Sequence, residues 1–306
     1  MEKEVSLLDP KTQKLVVRVL CALLILLLIL GIAVPAFADA PSARVVLGAD
    51  LTDDQIAQVY SNLAIVRGSV GELTLTNAEE RQVLQGFVSD EQLGTRSVSC
   101  VYFELLPAGS GLSVAVSNVN WASREMVLQA LSTVGITDAR VIVTAPFPVS
   151  GTAALAGVYK AYASITGRTL DETTADAGTQ ELATTGELSE ALGAAETSQI
   201  IGEMKDRASE LGGLSDQELD RRIREIASRV HVNLSDYQVG MLRDLCRTFS
   251  KLNPENLKKS AENVQQTIEN VKTNGEKAVG FFQRMGETLQ KIASFLEKIS
   301  DFFSGE

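Results

Sequence analysis

The stretch from Arg96 to Gly167 constrains the fold most, because strand and helix patterns follow one another there with little room for loops. Ser97 to Leu105 alternates apolar side chains on two faces, which is typical of a buried strand. After a turn at Pro107 to Gly111, a second alternating run extends from Leu112 to Val116. The two runs predict an antiparallel hairpin whose loop is too long for a two-residue turn.

A helix, a third strand and a second helix are predicted to follow. Ser123 is a suitable N-cap, and apolar residues then recur at helical spacing from Met126 until Gly135 ends the run. Ala139 to Thr144 is short and rich in β-branched residues, so it predicts a strand. The predicted fold class is α+β, a small mixed or antiparallel sheet with packed helices.

The segment after that strand, Ala145 to Gly157, must leave the sheet. Pro146 and Pro148 remove two amide donors and keep the residues before them out of the helical conformation. Ser150 or Thr152 can then cap a second helix. The apolar face of that helix consists of Leu155, Val158, Tyr159, Tyr162 and Ile165.

Ser150, Gly151 and Thr152 form a candidate anion-binding site. A turn that opens a helix just after a strand presents free amide groups and the positive end of the helix dipole, which suit a phosphate or a carboxylate. The alternative is that Ser150 and Thr152 satisfy those amides themselves. The segment lacks the lysine of a phosphate-binding loop and the glycines of a serine-nucleophile elbow.

Five short segments match a known family: Gly48 to Thr52, Asn77 to Arg81, Asn118 to Trp121, Ala145 to Leu155 and Thr184 to Leu188. In these segments the chain resembles the YpuA family, secreted proteins of Gram-positive bacteria that carry a domain of unknown function. The resemblance spans Val45 to Phe249, and Ala145 to Leu155 is its most specific part. It implies export and an unassigned role at the cell envelope, with no catalytic residues to carry across.

The amino terminus has the order of a secretory signal peptide. Basic residues precede the unbroken apolar run from Val19 to Leu30, and the small-x-small triplet Ala36 to Ala38 follows it. We expect cleavage after Ala38. The alternative is an uncleaved transmembrane anchor, because Val16 to Val34 is just long enough to cross a bilayer and its basic flank would stay in the cytoplasm. Either way the rest of the chain is predicted to be secreted or to lie on the outer face of the cell membrane.

The charge balance excludes a nucleic-acid partner. The 306 residues include 39 acidic and 28 basic side chains, a formal net charge of -11 at pH 7. No basic stripe is present that could neutralise a run of phosphates.

Cleavage of the leader removes Cys21 and leaves Cys100 and Cys246. Cys100 lies in a predicted core strand and Cys246 on an amphipathic helix far along the chain. We expect both thiols to be buried and unpaired, although an exported protein could join them in a disulfide.

Several helix starts are marked by a hydroxyl residue followed three positions later by Gln or Glu, which can form reciprocal capping hydrogen bonds. The three clear examples are Thr52 with Gln55, Ser215 with Glu218, and Ser235 with Gln238. Asn77 and Glu80 offer a similar capping box after a predicted strand, Glu72 to Thr76.

The carboxyl half is predicted to be helical. Thr169 to Glu196 is acidic and rich in Thr, Gly and Ala, which favours a solvated, partly helical connector over a calcium site. Ile200 to Leu211 is predicted to be a helix, and Arg221 to Val230 forms a helical hairpin with Val239 to Phe249. The single histidine, His231, falls between these two helices and is predicted to be a surface residue.

The tail is predicted to be one long amphipathic helix. From Leu257 to Phe303, apolar residues keep a regular 4,3 spacing that only Gly275 interrupts. Such a coiled-coil seam needs a partner. It could pack on the body of the protein, self-associate, bind a partner helix or lie on a membrane surface.

These patterns divide the chain into a signal peptide or anchor at 1–38, an α+β domain at 39–170, a helical region at 171–252 and the long helix at 253–306. The predicted function is that of an exported cell-envelope protein, a non-enzymatic binding or assembly module. No catalytic residue, metal site or cofactor is predicted. The alternative is an envelope hydrolase acting on an anionic wall-derived substrate. It would use the Ser150 to Thr152 turn as its anion site, and nearby carboxylates or Tyr159 and Lys160 as acid and base.

Overall fold

A five-stranded mixed sheet forms one core of the protein. The computed structural model describes residues 42–267. Its strands are β1 (Ala43–Gly48), β2 (Gly71–Leu75), β3 (Cys100–Leu105), β4 (Leu112–Val116) and β5 (Ala139–Thr144). They lie in the order β2-β1-β3-β5-β4. β1 runs parallel to β2, β4 runs parallel to β5, and β3 is antiparallel to both of its neighbours.

Helices cover the sheet and make up most of the remaining described chain. They are α1 (Asp53–Leu63), α2 (Asn77–Leu84), α3 (Asp90–Leu93), α4 (Arg124–Thr133), α5 (Ala153–Thr166), α6 (Glu172–Leu192), α7 (Ala194–Asp206), α8 (Ala208–Gly212), α9 (Asp216–Arg229) and α10 (Asp236–Phe249). Residues 254–267 are also helical, up to the last described residue. The fold is α+β, as the sequence predicted.

The predicted hairpin between β3 and β4 is wrong, because β5 lies between them and pairs with both. Neighbouring strands are roughly 4.8 Å apart, so the loop must cross about 10 Å, which six residues span easily. The loop runs over the start of β5, where Leu106 N and Gly111 N donate to the carbonyl and the side chain of Asp138. Alternation identified the strands, but it carries no information about which strands are neighbours.

The two faces of the sheet are covered by different helices. α5 packs on β1 and β3, and a Cβ placed at Gly157 would lie 3.1 Å from Val101 Cγ2, so the helix approaches the sheet closely. α1 lies against β5 on the other face, where Asn62 Nδ2 donates to Ala145 O at 3.2 Å. The sheet is therefore buried on both sides at its centre.

Three predicted helix starts are confirmed. The side chains of Thr52, Ser215 and Ser235 each accept a hydrogen bond from the backbone amide three residues on. At Thr52 and Ser235 the side chain of the glutamine three residues on accepts from the backbone amide of the capping residue, which completes the capping box.

The fourth predicted capping box, Asn77 with Glu80, is wrong by one residue. Thr76 caps α2 instead: its hydroxyl accepts from Glu79 N at 3.2 Å and its amide donates to Glu79 Oε2 at 2.8 Å. Because the helix begins one residue earlier, Glu80 points into the protein, where only 1% of it is exposed.

The predicted connector, Thr169 to Glu196, is helical as expected, but it is not solvated, because ten of the 21 residues of α6 are buried. Its small residues allow close packing on neighbouring elements. A Cβ at Gly178 would lie 2.5 Å from Val134 Cγ1, and a Cβ at Gly186 would lie 2.7 Å from the Trp121 ring. The abundance of Thr, Gly and Ala is therefore a packing feature here, although it resembles the composition of a loop.

A buried ion pair joins α6 to α7. Lys205 Nζ lies 2.5 Å from Glu181 Oε1, and the two side chains are 2% and 0% exposed. Thr133 donates to the other carboxylate oxygen, and Gln129 O accepts from Lys205 at 3.4 Å. The ammonium also lies 5.8 Å from the ring centre of Phe249 on α10. Burial lowers the pKa of Lys205, and Glu181 opposes that shift.

The helices after α6 form a second hydrophobic core. The predicted helix from Ile200 to Leu211 is interrupted at Arg207 and forms α7 and α8. The predicted hairpin of α9 and α10 is confirmed, and His231 lies exposed between them. The buried residues of the two hairpin helices are Leu219, Ile223, Ile226, Ala227, Val239, Leu242, Leu245, Cys246 and Phe249. α6 contributes Leu182 to the first core and Leu188 to the second.

The start of the predicted long helix packs on the body of the protein. Leu257 belongs to the second core and Val264 to the first. Ser132 Oγ on α4 donates to Ser260 O at 3.1 Å. The rest of the seam, from Ile268 to Phe303, lies outside the described residues.

Between residues 42 and 267, no helix combines the length and the apolar character needed to cross a bilayer. The possible anchor from Val16 to Val34 and the predicted cleavage position after Ala38 lie outside the described part of the chain.

Both remaining cysteines, Cys100 and Cys246, are buried and unpaired, as predicted, and burial raises the pKa of each thiol to about 11.

A thiol reacts as its thiolate, so a chain starting at Asp39 should react negligibly with a disulfide reagent at pH 8. In guanidinium chloride both thiols should react. Rapid labelling of the folded chain would contradict the burial of Cys100 and Cys246.

Lys205→Met should destabilise the protein by about 3–5 kcal/mol, because it leaves the Glu181 carboxylate buried without its cation. The double variant Glu181→Leu with Lys205→Met should lose less stability than the single one. Urea unfolding measures both, and Arg221→Met, which breaks an exposed pair with Glu218, is the control with a much smaller effect. A double variant less stable than Lys205→Met would contradict this account.

Candidate ligand-binding groove

The predicted site residues are held by backbone pairing to the loop before α4. Val149 forms a parallel bridge with Val119. Asn120 N donates to Val149 O at 2.9 Å, and Ala122 N donates to Ser150 O at the same distance. The two prolines lead the chain out of β5 as predicted, and this pairing then fixes the position of Ser150.

Gly151 is required by its conformation and by its surroundings. Its φ is +83°, which favours glycine over residues with a Cβ. A Cβ there would also lie 2.3 Å from Val119 Cγ1 and 3.3 Å from the Ala122 side chain. The turn between Ser150 and α5 therefore has room for backbone only.

The predicted capping role of Ser150 and Thr152 is wrong. Thr152 is the N-cap residue of α5, but its backbone is helical and its side chain makes no capping hydrogen bond. Its hydroxyl instead donates to Glu80 Oε1 at 2.6 Å, and Ser150 Oγ lies 3.2 Å from Thr152 Oγ1. The three side chains form a hydrogen-bonded row, from Ser150 through Thr152 to Glu80.

Glu80 is the buried end of this row. Burial raises the pKa of its carboxyl group, while Thr152, Asn77 and Arg81 favour the ionised form and oppose the shift. Its second oxygen, Oε2, has no hydrogen-bond partner. Glu80 was predicted to belong to a capping box, and the inward-facing side of α2 is the signal that could have placed it here.

Ser150 opens into a shallow groove of about 600 Å³. The groove lies between the 91–98 segment, the loop before α4 and the end of α6. Its lining residues are Glu91, Gln92, Leu93, Gly94, Thr95, Arg96, Val98, Asn120, Trp121, Val149, Ser150 and Glu190. They include amides, a hydroxyl and an aromatic ring, which can bind a polar ligand by hydrogen bonds and stacking.

Trp121 is the aromatic residue of the groove, a role that its sequence pattern did not predict. Its ring is half-buried and packs against Gly186 of α6. Its indole Nε1 is buried without a hydrogen-bond partner. Its packing partner Gly186 lies far along the chain, so no local pattern indicated that Trp121 lines a groove.

Tyr159 and Lys160, predicted as one possible acid and base pair for the alternative hydrolase, do not line the groove. Tyr159 donates to Ala175 O at 3.3 Å, and burial raises the pKa of its hydroxyl well above the usual value. Lys160 Nζ lies 2.5 Å from Glu79 Oε1 and donates to Thr74 O at 2.6 Å. Both side chains are engaged in contacts within the fold.

The described part of the chain contains no cluster of three or more His, Cys, Asp or Glu side chains suited to a metal ion. The groove itself carries two carboxylates, Glu91 and Glu190, and one cation, Arg96. The Arg96 side chain donates to Asp50 O at 2.9 Å.

The five segments that carry the family resemblance lie around the groove. Asn77 to Arg81 supplies Glu80, Asn118 to Trp121 pairs with the segment containing Ser150, and Thr184 to Leu188 supports Trp121. Gly48 to Thr52 supports the groove wall, because Asp50 Oδ2 accepts from Ser97 N at 2.7 Å. Segments distant in sequence thus converge on one region.

Comparison with known proteins supports this resemblance. The family model described as "Protein of unknown function (DUF1002)" matches residues 47–271. The chain belongs to the DUF1002 family. It is 34% identical over 235 residues to "Uncharacterized protein YpuA" of Bacillus subtilis (strain 168), a match that covers 76% of this chain and 80% of the relative. No solved structure matches this DUF1002 chain significantly.

Gly151→Ala should destabilise the protein more than Gly167→Ala, as measured by urea unfolding. Gly167 has φ +67° at the other end of α5, but a Cβ there meets nothing within 4 Å. The Gly167 variant therefore reports the left-handed conformation alone, about 1–2 kcal/mol. Gly151→Ala adds the overlap of the new Cβ with Val119. Val119→Ala, combined with Gly151→Ala, should therefore recover part of the extra stability loss. Equal losses at the two glycines would contradict the close approach.

Proposed function

We propose that this protein is an exported, non-enzymatic component of the cell envelope that binds a polar ligand from the cell wall. The leader sequence supports export. The groove beside Ser150 supports the binding part of the proposal, because two hydroxyls, two side-chain amides and a tryptophan line the same opening.

The chemistry of the groove favours an uncharged polar ligand. Gln92 and Asn120 offer amide donors and acceptors, and Trp121 offers a ring on which a flat amide or sugar face can stack. Glycan strands and wall peptides present both kinds of surface.

The anion-binding prediction at Ser150, Gly151 and Thr152 remains a second proposal for the same place. Its weakness is electrostatic: two carboxylates line the groove beside one cation, and Glu80 lies directly behind Thr152. An incoming phosphate would face these negative charges. We therefore place the uncharged ligand first and include phosphate as a test probe.

A catalytic role has less support than binding. Ser150 makes its side-chain hydrogen bond to Thr152, and Lys160, which could serve as a base, is paired with Glu79. A serine nucleophile needs an adjacent base to accept its proton.

The assembly half of the proposal concerns the tail. Because Leu257 and Val264 are buried in the protein body, we propose that self-association or contact with a partner helix uses the seam from Ile268 to Phe303. A chain ending at residue 267 keeps the buried part and removes the rest. Light scattering should give a larger assembly for residues 39–306 than for residues 39–267, and equal monomeric masses would remove the assembly proposal.

Cosedimentation with purified cell-wall sacculi tests the binding proposal. The chain from Asp39 should sediment with the sacculi, and the double variant Asn120→Ala with Ser150→Ala should lose most of that binding. Ser110→Ala, in the exposed loop between β3 and β4, is the matched control and should bind normally.

Two outcomes would contradict the proposal. One is a chain that does not sediment with sacculi. The other is binding that phosphate displaces and that wall fragments do not, which would favour the anion site. Cell fractionation into supernatant, wall and membrane tests export, and an intact leader on a cytosolic product would overturn it.

A further inference from the structure

We infer that the row of hydrogen bonds from Glu80 through Thr152 to Ser150 makes the groove select ligands that donate a hydrogen bond at Ser150, such as an amide N–H or a hydroxyl, over carboxylates. This inference rests on the proposed function, because it names the chemical class of ligand that the groove takes.

Glu80 sets the direction of the hydrogen bonds in the row. An ionised carboxylate accepts hydrogen bonds and has no proton to donate. Thr152 has a single hydroxyl proton, and its oxygen lies 2.6 Å from Glu80 Oε1. The other acceptor within reach, Gln92 O, is 3.5 Å away and competes weakly. The Thr152 proton is therefore committed to Glu80.

The position of the Thr152 proton also fixes the direction of the hydrogen bond between Thr152 and Ser150. With its proton on the Glu80 side, Thr152 Oγ1 can only accept from Ser150, whose oxygen lies 3.2 Å away. The Ser150 proton then points into the protein, and its remaining lone pairs face the groove. A ligand at this position must supply the proton. A carboxylate or phosphate oxygen would place lone pair against lone pair.

The groups around Glu80 favour this direction. From α2, Asn77 and Arg81 face it, and both stabilise the ionised form. The Arg81 guanidinium also donates to Asp90 at 2.6 Å and to Gly94 O at 2.7 Å. From the start of α5 comes Thr152, and from α3 the carbonyl of Gln92. Since burial raises the pKa of Glu80, the selectivity applies above that pKa and weakens as Glu80 takes up a proton.

The charges that line the groove also disfavour a carboxylate ligand. Glu91 and Glu190 line it and repel a carboxylate ligand, while Arg96 is the cation on the lining. A neutral donor is free of this repulsion. Hydrogen-bond direction and charge thus select against the same ligands. A Thr152 variant separates the two effects, because Glu91, Glu190 and Arg96 stay in place on the groove lining.

The test uses two probes of equal size, N-acetyl-dialanine amide and N-acetyl-dialanine, whose terminal groups are a carboxamide and a carboxylate. Titration at pH 8, followed by NMR shifts of backbone amides around Ser150, should show the carboxamide binding about tenfold more tightly or better. Thr152→Val frees the Ser150 proton and should reduce that ratio several-fold. Thr152→Ser keeps the hydroxyl and should retain the ratio.

A second readout needs no ligand. The carboxyl carbon of Glu80, followed by NMR, should titrate at a higher pH in Thr152→Val than in the parent protein, because the variant loses a donor to the carboxylate. Thr152→Ser should restore the parent value. A variant that merely misfolds would lose the folded spectrum and would be recognised by it.

Equal or tighter binding of the acid by the parent protein would overturn the inference, as would an unchanged ratio or an unchanged Glu80 titration in Thr152→Val. Binding of neither probe would overturn the assigned ligand class. These failures differ from failure of the proposed function, which is the loss of sedimentation with sacculi. A chain that sediments but prefers the acid contradicts the inference alone.

Discussion

The buried pair of Glu181 and Lys205 is the interaction on which the arrangement of the described chain depends. Glu181 lies on α6, Lys205 on α7, and their further contacts come from α4 and α10. Four helices from both hydrophobic cores thus meet at one charged contact. A buried pair need not add net stability, since desolvation opposes the attraction, but a wrong packing of these helices would leave a charge unpaired. The pair therefore favours one packing over alternatives.

The same close packing builds the groove. α6 approaches α4 because glycines face Val134 and Trp121, and this contact holds Trp121 at the groove. On the other side, backbone pairing of Val119 with Val149 places Ser150. Rigid neighbours fix the side chains that would meet a ligand, so little ordering has to accompany binding.

The sequence predicted most elements of the fold because their signals are local. Alternation identified β3 and β4, β-branched residues identified β5, and hydroxyl caps located the starts of α1, α9 and α10 within a residue. Strand order was mispredicted, because the position of β5 between β3 and β4 depends on contacts across the sheet. The burial of α6 was mispredicted, although its helical character was expected, because Thr, Gly and Ala are typical of loops and also of tightly packed helices. Only the packing partner distinguishes the two.

The candidate site was predicted in part for a similar reason. Two prolines and a glycine located the turn at Ser150 to Thr152, which is local information. The acceptor of the Thr152 proton is Glu80, which is distant in sequence. Glu80 faces the interior because α2 is capped by Thr76, one residue before the predicted cap Asn77. No pattern in the chain connects these residues. The neighbouring Trp121 likewise gains its role from Gly186, a contact that forms only in the folded protein.

A crystal structure of the chain from Asp39, soaked with a neutral disaccharide–peptide fragment of the cell wall, tests the central claim most directly. The account predicts ligand density in the groove beside Trp121, with a donor atom of the ligand within hydrogen-bond distance of Ser150 Oγ. An empty groove with the fragment bound elsewhere on the protein would contradict it.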